Sequence, residues 1–475
     1  MTTEDYLRWF GVDAPVLHRV LSEAMGRGAE YADLYFQHMR NTSIGLEDGI
    51  INSASTRVDQ GVGVRAVIGD QVGYAYCESL DTPSMLRAAQ AAATIASGSV
   101  AAAPREVSPK GLGADRYKLQ RYWDEVNIAE RLPILRKAEA MLKGMEPSLE
   151  KISVYWSDSD ERIMVATSDG ALMTDRRPMG TLSVSITALK NGQRQSHGAN
   201  TAKRMSIDAF DDERIREVCA EAVKRTMILF EARRPPAGEM AVVLAAGASG
   251  ILLHEAIGHG FEADFNRKGA SIYSTLLNQK VAPDFVTVID DGTQEHDRGA
   301  LNVDDEGNET EKTVLIEDGV LRSYLHDRIS ARHYGVKATG SGRRQSFRHV
   351  PMPRMRSTYM LGGPHSYDEM IASVERGIVA ETFTNGQVLI GGGDFTFYVK
   401  NGWLIEGGKI TAPIKDVNII GNGPQALKNV LMAANDPKVD AGGWTCGKNG
   451  QGVPVSVGMP SVLVKSMTVG GDNAK

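Results

Sequence analysis

The spacing of apolar residues predicts four helices in the first half of the chain. Between residues 13 and 28, Leu17, Val20 and Leu21 recur at intervals that place them on one face of a helix. Comparable patterns predict further helices over residues 82–98, 127–145 and 207–232.

Segments of alternating apolar and polar residues lie between these helices and predict β-strands, as in YADLYFQHM at residues 31–39. Two-residue turns separate consecutive strands, and such turns favour β-hairpins. The turns are Asp48-Gly49, Gly69-Asp70, Asp169-Gly170 and Asn191-Gly192. Because helices and antiparallel strands come in separate blocks, we expect an α+β fold.

A domain boundary is predicted near residue 233. Pro235-Pro236 ends the fourth helix, and the apolar run MAVVLAA then begins a new strand. We therefore expect an N-terminal domain of helices with antiparallel sheets over residues 1–233. A strand-rich C-terminal domain is expected over residues 234–475.

The segment LHEAIGHGFE at residues 253–262 carries the strongest chemical signal in the chain. A strand and a glycine-rich turn precede it, so His254 and Glu255 are expected on a helix that Ser249 caps. His254 and His259 are five residues apart, and on an ideal helix they would be separated by roughly 140°. One metal ion can bind both only if a π-bulge widens the helix or if the helix ends near Gly258.

A zinc site that catalyses a reaction usually has three protein ligands and an open position for water. Glu262 and Asp264 are nearby candidates for the third ligand, and Cys446 is a distant one. Cys446 lies in a glycine-rich turn before a strand, where the neighbouring Lys448 would favour the thiolate. Cys77 and Cys219 have the surroundings of small core residues.

Composition narrows the range of functions. The 475-residue chain is 42% hydrophobic, so it can bury large cores and needs no metal to fold. A net charge of −6 argues against direct binding of nucleic acid, which requires a basic surface. Three cysteines, an N-terminus without an apolar signal core and no apolar run of membrane-spanning length predict a cytoplasmic protein without a membrane anchor.

Two further segments allow two interpretations each. SGRR at residues 341–344 is expected to be a loop with solvated arginines, and the alternative is a clamp for a peptide carboxylate. Gly391–Gly393 either allows a peptide to pair along a strand edge or forms a bulge in a sheet.

Three segments together resemble the TldD/PmbA family of zinc metallopeptidases, and the similarity extends over essentially the whole chain. They are LLHEAIGHGFEADF, the stretch at residues 304–328, and GGWTCGKNGQGVPVSVGMPSVLVK at residues 442–465. The resemblance implies that His254, His259 and Cys446 bind Zn²⁺ and that Glu255 is the catalytic glutamate.

The same resemblance implies partners and substrates. Sister subunits of the PmbA/TldE type lack the HExxxH motif, whereas this chain keeps it and so resembles the catalytic branch of the family. Family members form homodimers or heterodimers with the inactive sister, and they cleave extended or unfolded peptides. Two alternatives stay open, namely a zinc amidase that acts on non-peptide substrates and a scaffold subunit whose structural zinc has a fourth protein ligand.

Overall fold

The computed structural model describes residues 2–96, 103–389 and 392–471. These ranges form a protein of mixed helices and sheets, as the sequence predicts. Helices α1 to α10 are Thr3–Phe10, Ala14–Met25, Thr82–Ala93, Ile128–Met145, Asp212–Met227, Gly250–Ala256, Ala263–Asn266, Arg328–Tyr334, Tyr367–Ala372 and Gly423–Lys428. Short 3₁₀ helices are Trp123–Glu125, Ile207–Ala209, Ile228–Phe230 and Gly258–Phe261.

The strands of the described ranges are numbered β1 to β23 in chain order. They are Tyr31–Glu47, Ile50–Ile68, Gln71–Cys77, Ser108–Pro109, Leu149–Thr167, Ala171–Lys190, Gln193–Lys203, Gly238–Leu244, Val288–Asp291, Lys312–Glu317, Val320–Leu321, Gly342–Arg343, Met352–Pro353, Ser357–Met360, Arg376–Leu389, Asp394–Glu406, Lys409–Asn422, Val430–Ala433, Lys438–Val439, Thr445–Lys448, Gln451–Pro454, Ser456–Met459 and Val462–Gly470.

The four helices predicted in the first half are present as α2, α3, α4 and α5, with shorter bounds. Residues 97 and 98 of the second predicted segment lie outside the described residues. Helix α1 was not predicted, because its eight residues are too few for a clear periodicity. Thr2 and Asp5 cap its start reciprocally, and Gly11 ends it in the left-handed region at φ 66°.

Two long hairpins form the seven-stranded sheet of the first half. Strands β1 and β2 make one hairpin and β5 and β6 the other, and β1 pairs with β5 in antiparallel register. The strand order is β3-β2-β1-β5-β6-β4, and β7 pairs with β6. All four predicted turns are confirmed, and Asp48-Gly49 has the two positive φ angles, 47° and 85°, of a tight hairpin turn.

The two faces of this sheet have different partners because successive side chains point to opposite sides. Phe36 packs with helices α2 and α3 on one face. Its neighbour Tyr35 points to the other face, where it joins Val303 and Phe347 from the second half of the chain. Cys219 lies in the core under the second hairpin, as expected of a small core residue.

The second half of the chain contains two six-stranded sheets. In one, β8, β15, β16, β17 and β23 pair in that order, and β23 also pairs with β8, so these strands close into a ring. The other has the order β11-β10-β9-β14-β22-β19. Helix α6 packs against β14 and β22 of the open sheet and against β15 and β16 of the ring.

Buried ion pairs connect the two halves. The Nε atom of Arg65 donates to Asp33 at 2.7 Å, and the Nη1 atom of Arg65 lies 2.6 Å from Glu306. Arg344 adds a contact to Asp33 at 3.4 Å. The expectation that Arg343 and Arg344 are solvated is therefore wrong: they are only 3% and 4% exposed, because their partners come from distant parts of the chain.

The predicted division near residue 233 stays a prediction, although every strand of the seven-stranded sheet precedes it. The segment Gly391–Gly393 includes residue 391, which lies outside the described residues, and its two interpretations remain open. Among the described helices, none is both long and apolar enough to cross a membrane.

Candidate metal centre

Helix α6 brings the HExxxH segment between the two sheets of the second half. Its first residue, Gly250, lies so close to β22 that an added Cβ would be 2.4 Å from the backbone nitrogen of Gly458. Ser249 occupies the N-cap position of this helix, as predicted, but its hydroxyl makes no capping hydrogen bond and donates instead to the carbonyl of Ala380 at 3.4 Å.

The helix ends between the two histidines. Ile257 leaves the helical region at φ −128° and ψ −48°, and a 3₁₀ turn begins at Gly258. Of the two arrangements that the sequence allowed, the structure has the ended helix. The rings of His254 and His259 consequently lie 5.1 Å apart, with their planes at 81°.

Gly258 lies where the helix ends, at a position that has no room for a side chain. Its φ is not in the left-handed region. A Cβ atom there would instead lie 2.2 Å from the Sδ atom of the buried Met355. The glycine therefore lets the 3₁₀ turn pack closely on the core.

Cys446 reaches the two histidines from a separate hairpin. It lies on β20, opposite Val453 of β21. One ligand atom each of His254, His259 and Cys446 lies within 4.8 Å of the others, and all three residues are buried. The Sγ atom of Cys446 is 3.6 Å from the Nε2 atom of His259.

His254 is the least satisfied member of this cluster. It is 1% exposed, and neither ring nitrogen has a hydrogen-bond partner among the described residues. Leaving a buried polar group without a partner costs about 1–3 kcal/mol, so such groups are rare without a functional reason.

Glu262 fixes the orientation of His259. Its buried carboxylate lies 2.9 Å from the Nδ1 atom of His259 and 2.9 Å from the Nζ atom of Lys448. Burial raises the pKa of the Glu262 carboxyl, but the charges of Lys448 and His259 outweigh that effect and lower the pKa to about 2. The Nδ1 contact leaves the Nε2 atom of His259 directed at Cys446.

Lys448 has a different role from the one expected. Its ammonium is 2.7 Å from Asp264 and is also bound to Glu262. Burial raises the pKa of the Cys446 thiol, but the two neighbouring imidazoles outweigh burial, His254 before His259, and hold this pKa well below its usual value. The histidines, and not Lys448, therefore favour the thiolate.

The carboxylate of Glu255 lies at the edge of the cluster. Its side chain is 24% exposed, and its Oε2 atom is 3.8 Å from the Nε2 atom of His259. Solvent therefore reaches the Glu255 carboxylate, while the three donor side chains are nearly inaccessible. Glu262 and Asp264 were the other candidates for a third ligand. The carboxylate of Glu262 instead contacts His259 and Lys448, and that of Asp264 contacts Lys448.

The spacing of Cys446 and His259 fits two ligands on one tetrahedral metal ion. With Zn–S near 2.3 Å and Zn–N near 2.0–2.1 Å, a tetrahedral ion separates sulfur from nitrogen by about 3.6 Å, and the observed separation is 3.6 Å. Two imidazoles and a thiolate are also the donor types that zinc prefers. A metal ion would satisfy the unpartnered nitrogen of His254.

Sequence reasoning missed two supporting residues. The role of Glu262 as the partner of His259 follows from their spacing of three residues in a helical turn, which the sequence contains. Arg354 is fully buried and donates to the backbone carbonyl of Cys446 and to that of Gln451 at 3.3 Å, so it supports the hairpin. No local pattern connects Arg354 with a cysteine so far along the chain.

Three family models match the chain. Residues 32–96 match "PmbA/TldA metallopeptidase domain 1", residues 121–230 match the central domain of the same name, and residues 237–471 match the C-terminal domain.

Relatives of similar length carry metalloprotease names. A "Metalloprotease TldD homolog" of Haemophilus influenzae is 40% identical over 459 residues, which are 94% of each chain. A "Zinc metalloprotease TldD homolog" of Saccharolobus solfataricus is 31% identical over 349 residues, covering 73% of this chain and 77% of the relative.

Solved structures share the fold at low sequence identity. TldE from Thermococcus kodakarensis superposes with a TM-score of 0.75 at 18% identity, covering 96% of this chain and all of that one. A Thermotoga maritima protein described as a candidate modulator of a DNA gyrase gives a TM-score of 0.78 at 19% identity, covering 96% and 99%. At such identity the likeness concerns the fold alone.

Proposed function

The chain belongs to the TldD/PmbA family of metallopeptidases, and we propose that it is a zinc-dependent peptidase that uses the HExxxH segment and Cys446. His254, His259 and Cys446 are the zinc ligands in this proposal, and Glu255 is the general base. The substrates are extended or unfolded peptides.

One observation carries the proposal more than any other. The Sγ atom of Cys446 and the Nε2 atom of His259 have the separation expected of two ligands on one tetrahedral zinc ion. The partnerless, buried ring of His254 beside them supports the same interpretation.

Zinc held at these three side chains would supply Lewis acidity, lowering the pKa of water and polarising the carbonyl of the scissile amide. The chain's own residues do the remaining work. Glu262 keeps the Nε2 atom of His259 directed towards the metal position. The partly exposed Glu255 accepts a proton from the attacking water and passes it to the leaving amine.

The ligand count favours catalysis over a structural zinc. Structural zinc sites usually have four protein ligands, and the donor cluster found within the described residues has three members. The fourth position would be left for water or substrate. A scaffold subunit is therefore the weaker alternative.

The relatives are called metalloproteases, and these names support peptides rather than small amides as the substrates. The family resemblance and the shared fold with TldE support a homodimer or a heterodimer with a PmbA/TldE-like sister subunit. A thiolate ligand needs a reducing compartment, which supports the cytoplasm as the location.

The proposal is tested with purified wild type, Glu255→Gln and the control Glu317→Gln, which changes an exposed glutamate. We expect Glu255→Gln to retain zinc and to lose peptide cleavage by about 10²-fold or more, while the control matches wild type. A panel of unfolded peptides and small amides is the substrate set.

Each alternative function predicts a different result with the same set of peptides and amides. Cleavage of small amides with peptides left intact identifies an amidase. A wild type that holds zinc and cleaves nothing identifies a scaffold subunit. Full peptide cleavage by Glu255→Gln contradicts the proposed mechanism.

A further inference from the structure

A cavity of about 610 Å³ lies between the seven-stranded sheet and the second half of the chain. One wall comes from strands β1, β2, β5 and β6, and the opposite wall includes Arg343–Gln345 and Gly452–Pro454. The exposed Tyr155 lines one end, so the cavity communicates with solvent.

Arginines outnumber acidic residues in the cavity walls. Six arginines and three acidic residues line it, and they are Arg57, Arg177, Arg204, Arg298, Arg343, Arg344, Asp158, Glu161 and Asp305. Asp158 is already held by Arg131, and Asp305 by Arg177. The cavity therefore carries an excess of positive charge.

Among the described residues, no carboxylate forms an ion pair with Arg204, Arg298 or Arg343. Arg204 is 3% exposed, its Nη1 atom donates to the carbonyl of Pro178 at 3.3 Å, and its buried Nε atom has no partner. Arg298 donates from Nε to the carbonyl of Trp444 at 2.9 Å. Arg343 donates both of its Nη atoms to backbone carbonyls.

The pKa values of these side chains are consistent with an uncompensated charge. Burial, and then the charge of Arg204, lowers the pKa of Arg298 to about 10. Burial lowers the pKa of Arg343 to about 9, against the opposing effect of Asp305. Burial and the charge of Arg204 thus disfavour the charged forms of Arg298 and Arg343, so an anion bound beside these guanidinium groups would be stabilised.

The cavity adjoins the metal centre through the hairpin that carries Cys446. Val453, which lines the cavity, pairs directly with Cys446, and paired residues of adjacent strands have Cα atoms about 5 Å apart. Arg298 binds the residues just before Cys446, at Trp444 and Thr445. A peptide at the metal centre would therefore reach the cavity within a few residues.

We propose that this cavity binds a carboxylate of the peptide substrate, either an acidic side chain or the C-terminal carboxylate, through Arg204 and Arg298. Arg343 contributes positive charge but does not contact the bound carboxylate, because both of its Nη atoms donate to backbone carbonyls. The planar fork of a guanidinium matches a carboxylate with two hydrogen bonds. This inference rests on the proposed peptidase function and adds the chemical class of the preferred substrate.

Binding to the zinc-loaded Glu255→Gln variant tests the inference without any turnover. Fluorescein-labelled peptides differ only by Asp or Asn at one position, or by a free or amidated C-terminus. We expect the carboxylate form to bind about tenfold or more tightly than its neutral match. An Asp/Asn difference identifies a side-chain carboxylate as the ligand, and a difference at the terminus identifies the C-terminal one.

Arg298→Gln and Arg204→Gln, introduced into Glu255→Gln, identify the contacts. Each should reduce binding of the acidic peptide to the level of the neutral one and leave the neutral peptide unchanged, and Arg298→Lys should recover part of the preference. Arg322→Gln removes an exposed arginine outside the cavity and should leave all affinities unchanged.

Three results would overturn the inference. The first is that Glu255→Gln binds acidic and neutral peptides equally well. The second is that Arg298→Gln weakens the binding of both peptides to the same extent. The third is that inorganic phosphate competes for the cavity although acidic peptides are not preferred. A wild type that cleaves no peptide would instead refute the proposed function, because a carboxylate preference in binding can persist without cleavage.

Discussion

The Sγ atom of Cys446 lies 3.6 Å from the Nε2 atom of His259, although 187 positions separate the two residues in the chain. The contact joins the β20–β21 hairpin to the end of helix α6. Glu262 and Lys448 form a second connection between the same two elements. The metal centre therefore depends on how these two elements pack.

Glu262→Gln should weaken zinc binding. The neutral amide cannot hold the His259 ring as firmly, and it leaves the buried Lys448 with one acidic partner fewer. Loss of such a partner typically costs 10–100-fold in metal affinity or activity. Competition with a chromophoric chelator measures the affinity, and Glu317→Gln is the exposed control. Unchanged affinity would show that Glu262 does not position His259.

Removal of zinc by a chelator should lower the thermal midpoint and leave the secondary structure intact. The chain has large cores of its own, so the metal is not needed for folding. A ligand that binds only the folded state adds about 2.7 kcal/mol when its free concentration is a hundred times its dissociation constant. Circular dichroism and calorimetry measure both effects. Loss of the far-ultraviolet signal on chelation would indicate a structural metal.

Asp33→Asn should destabilise the protein strongly. The substitution leaves the fully buried Arg65 with Glu306 alone and also removes the contact to Arg344. Breaking a buried ion pair costs about 3–5 kcal/mol. Denaturant unfolding is the measurement. The exposed pair of Lys280 and Asp284 provides the control, and Asp284→Asn should cost less than about 1 kcal/mol. Equal costs for the two variants would contradict the role given to the buried pair.

Asp304→Asn should change how stability depends on pH. Burial, and then the charge of Glu306, raises the pKa of Asp304 from its ordinary value of 3.8 to about 7. Between these values the folded state holds more protons than the unfolded state, so the free energy of unfolding falls as pH rises, by up to about 1.4 kcal/mol per unit for one proton.

The variant lacks this titration, so its stability relative to wild type should rise between pH 4 and pH 7. Denaturant unfolding at four or five pH values measures the difference. Parallel profiles for the two proteins would show that Asp304 does not titrate in that window.

Local signals in the sequence predicted much of the fold. The Asp-Gly and Asn-Gly turns determine the hairpins because those residues accept positive φ. The apolar periodicity identified α2 to α5, because packing of one face is what stabilises a helix. The five-residue spacing of His254 and His259 indicated that the helix either widens into a π-bulge or ends near Gly258, and it ends there.

Contacts between distant residues account for what the sequence did not predict. The choice between a π-bulge and a helix end depends on packing around Met355, about a hundred positions away. Arg343 and Arg344 were expected in solvent, and they are buried because Asp305, Pro454 and Asp33 supply partners from elsewhere. No periodicity within one segment contains that information.

The central claim is that Cys446 binds zinc together with His254 and His259. Its most direct test is the zinc content of purified Cys446→Ala after dialysis, with Cys77→Ala as the matched control. Cys77 is a half-buried cysteine whose pKa is raised to about 11, mainly by burial, so it should not bind metal. We predict one zinc per chain for wild type and Cys77→Ala and little or none for Cys446→Ala, whereas one zinc per chain in Cys446→Ala would contradict the account.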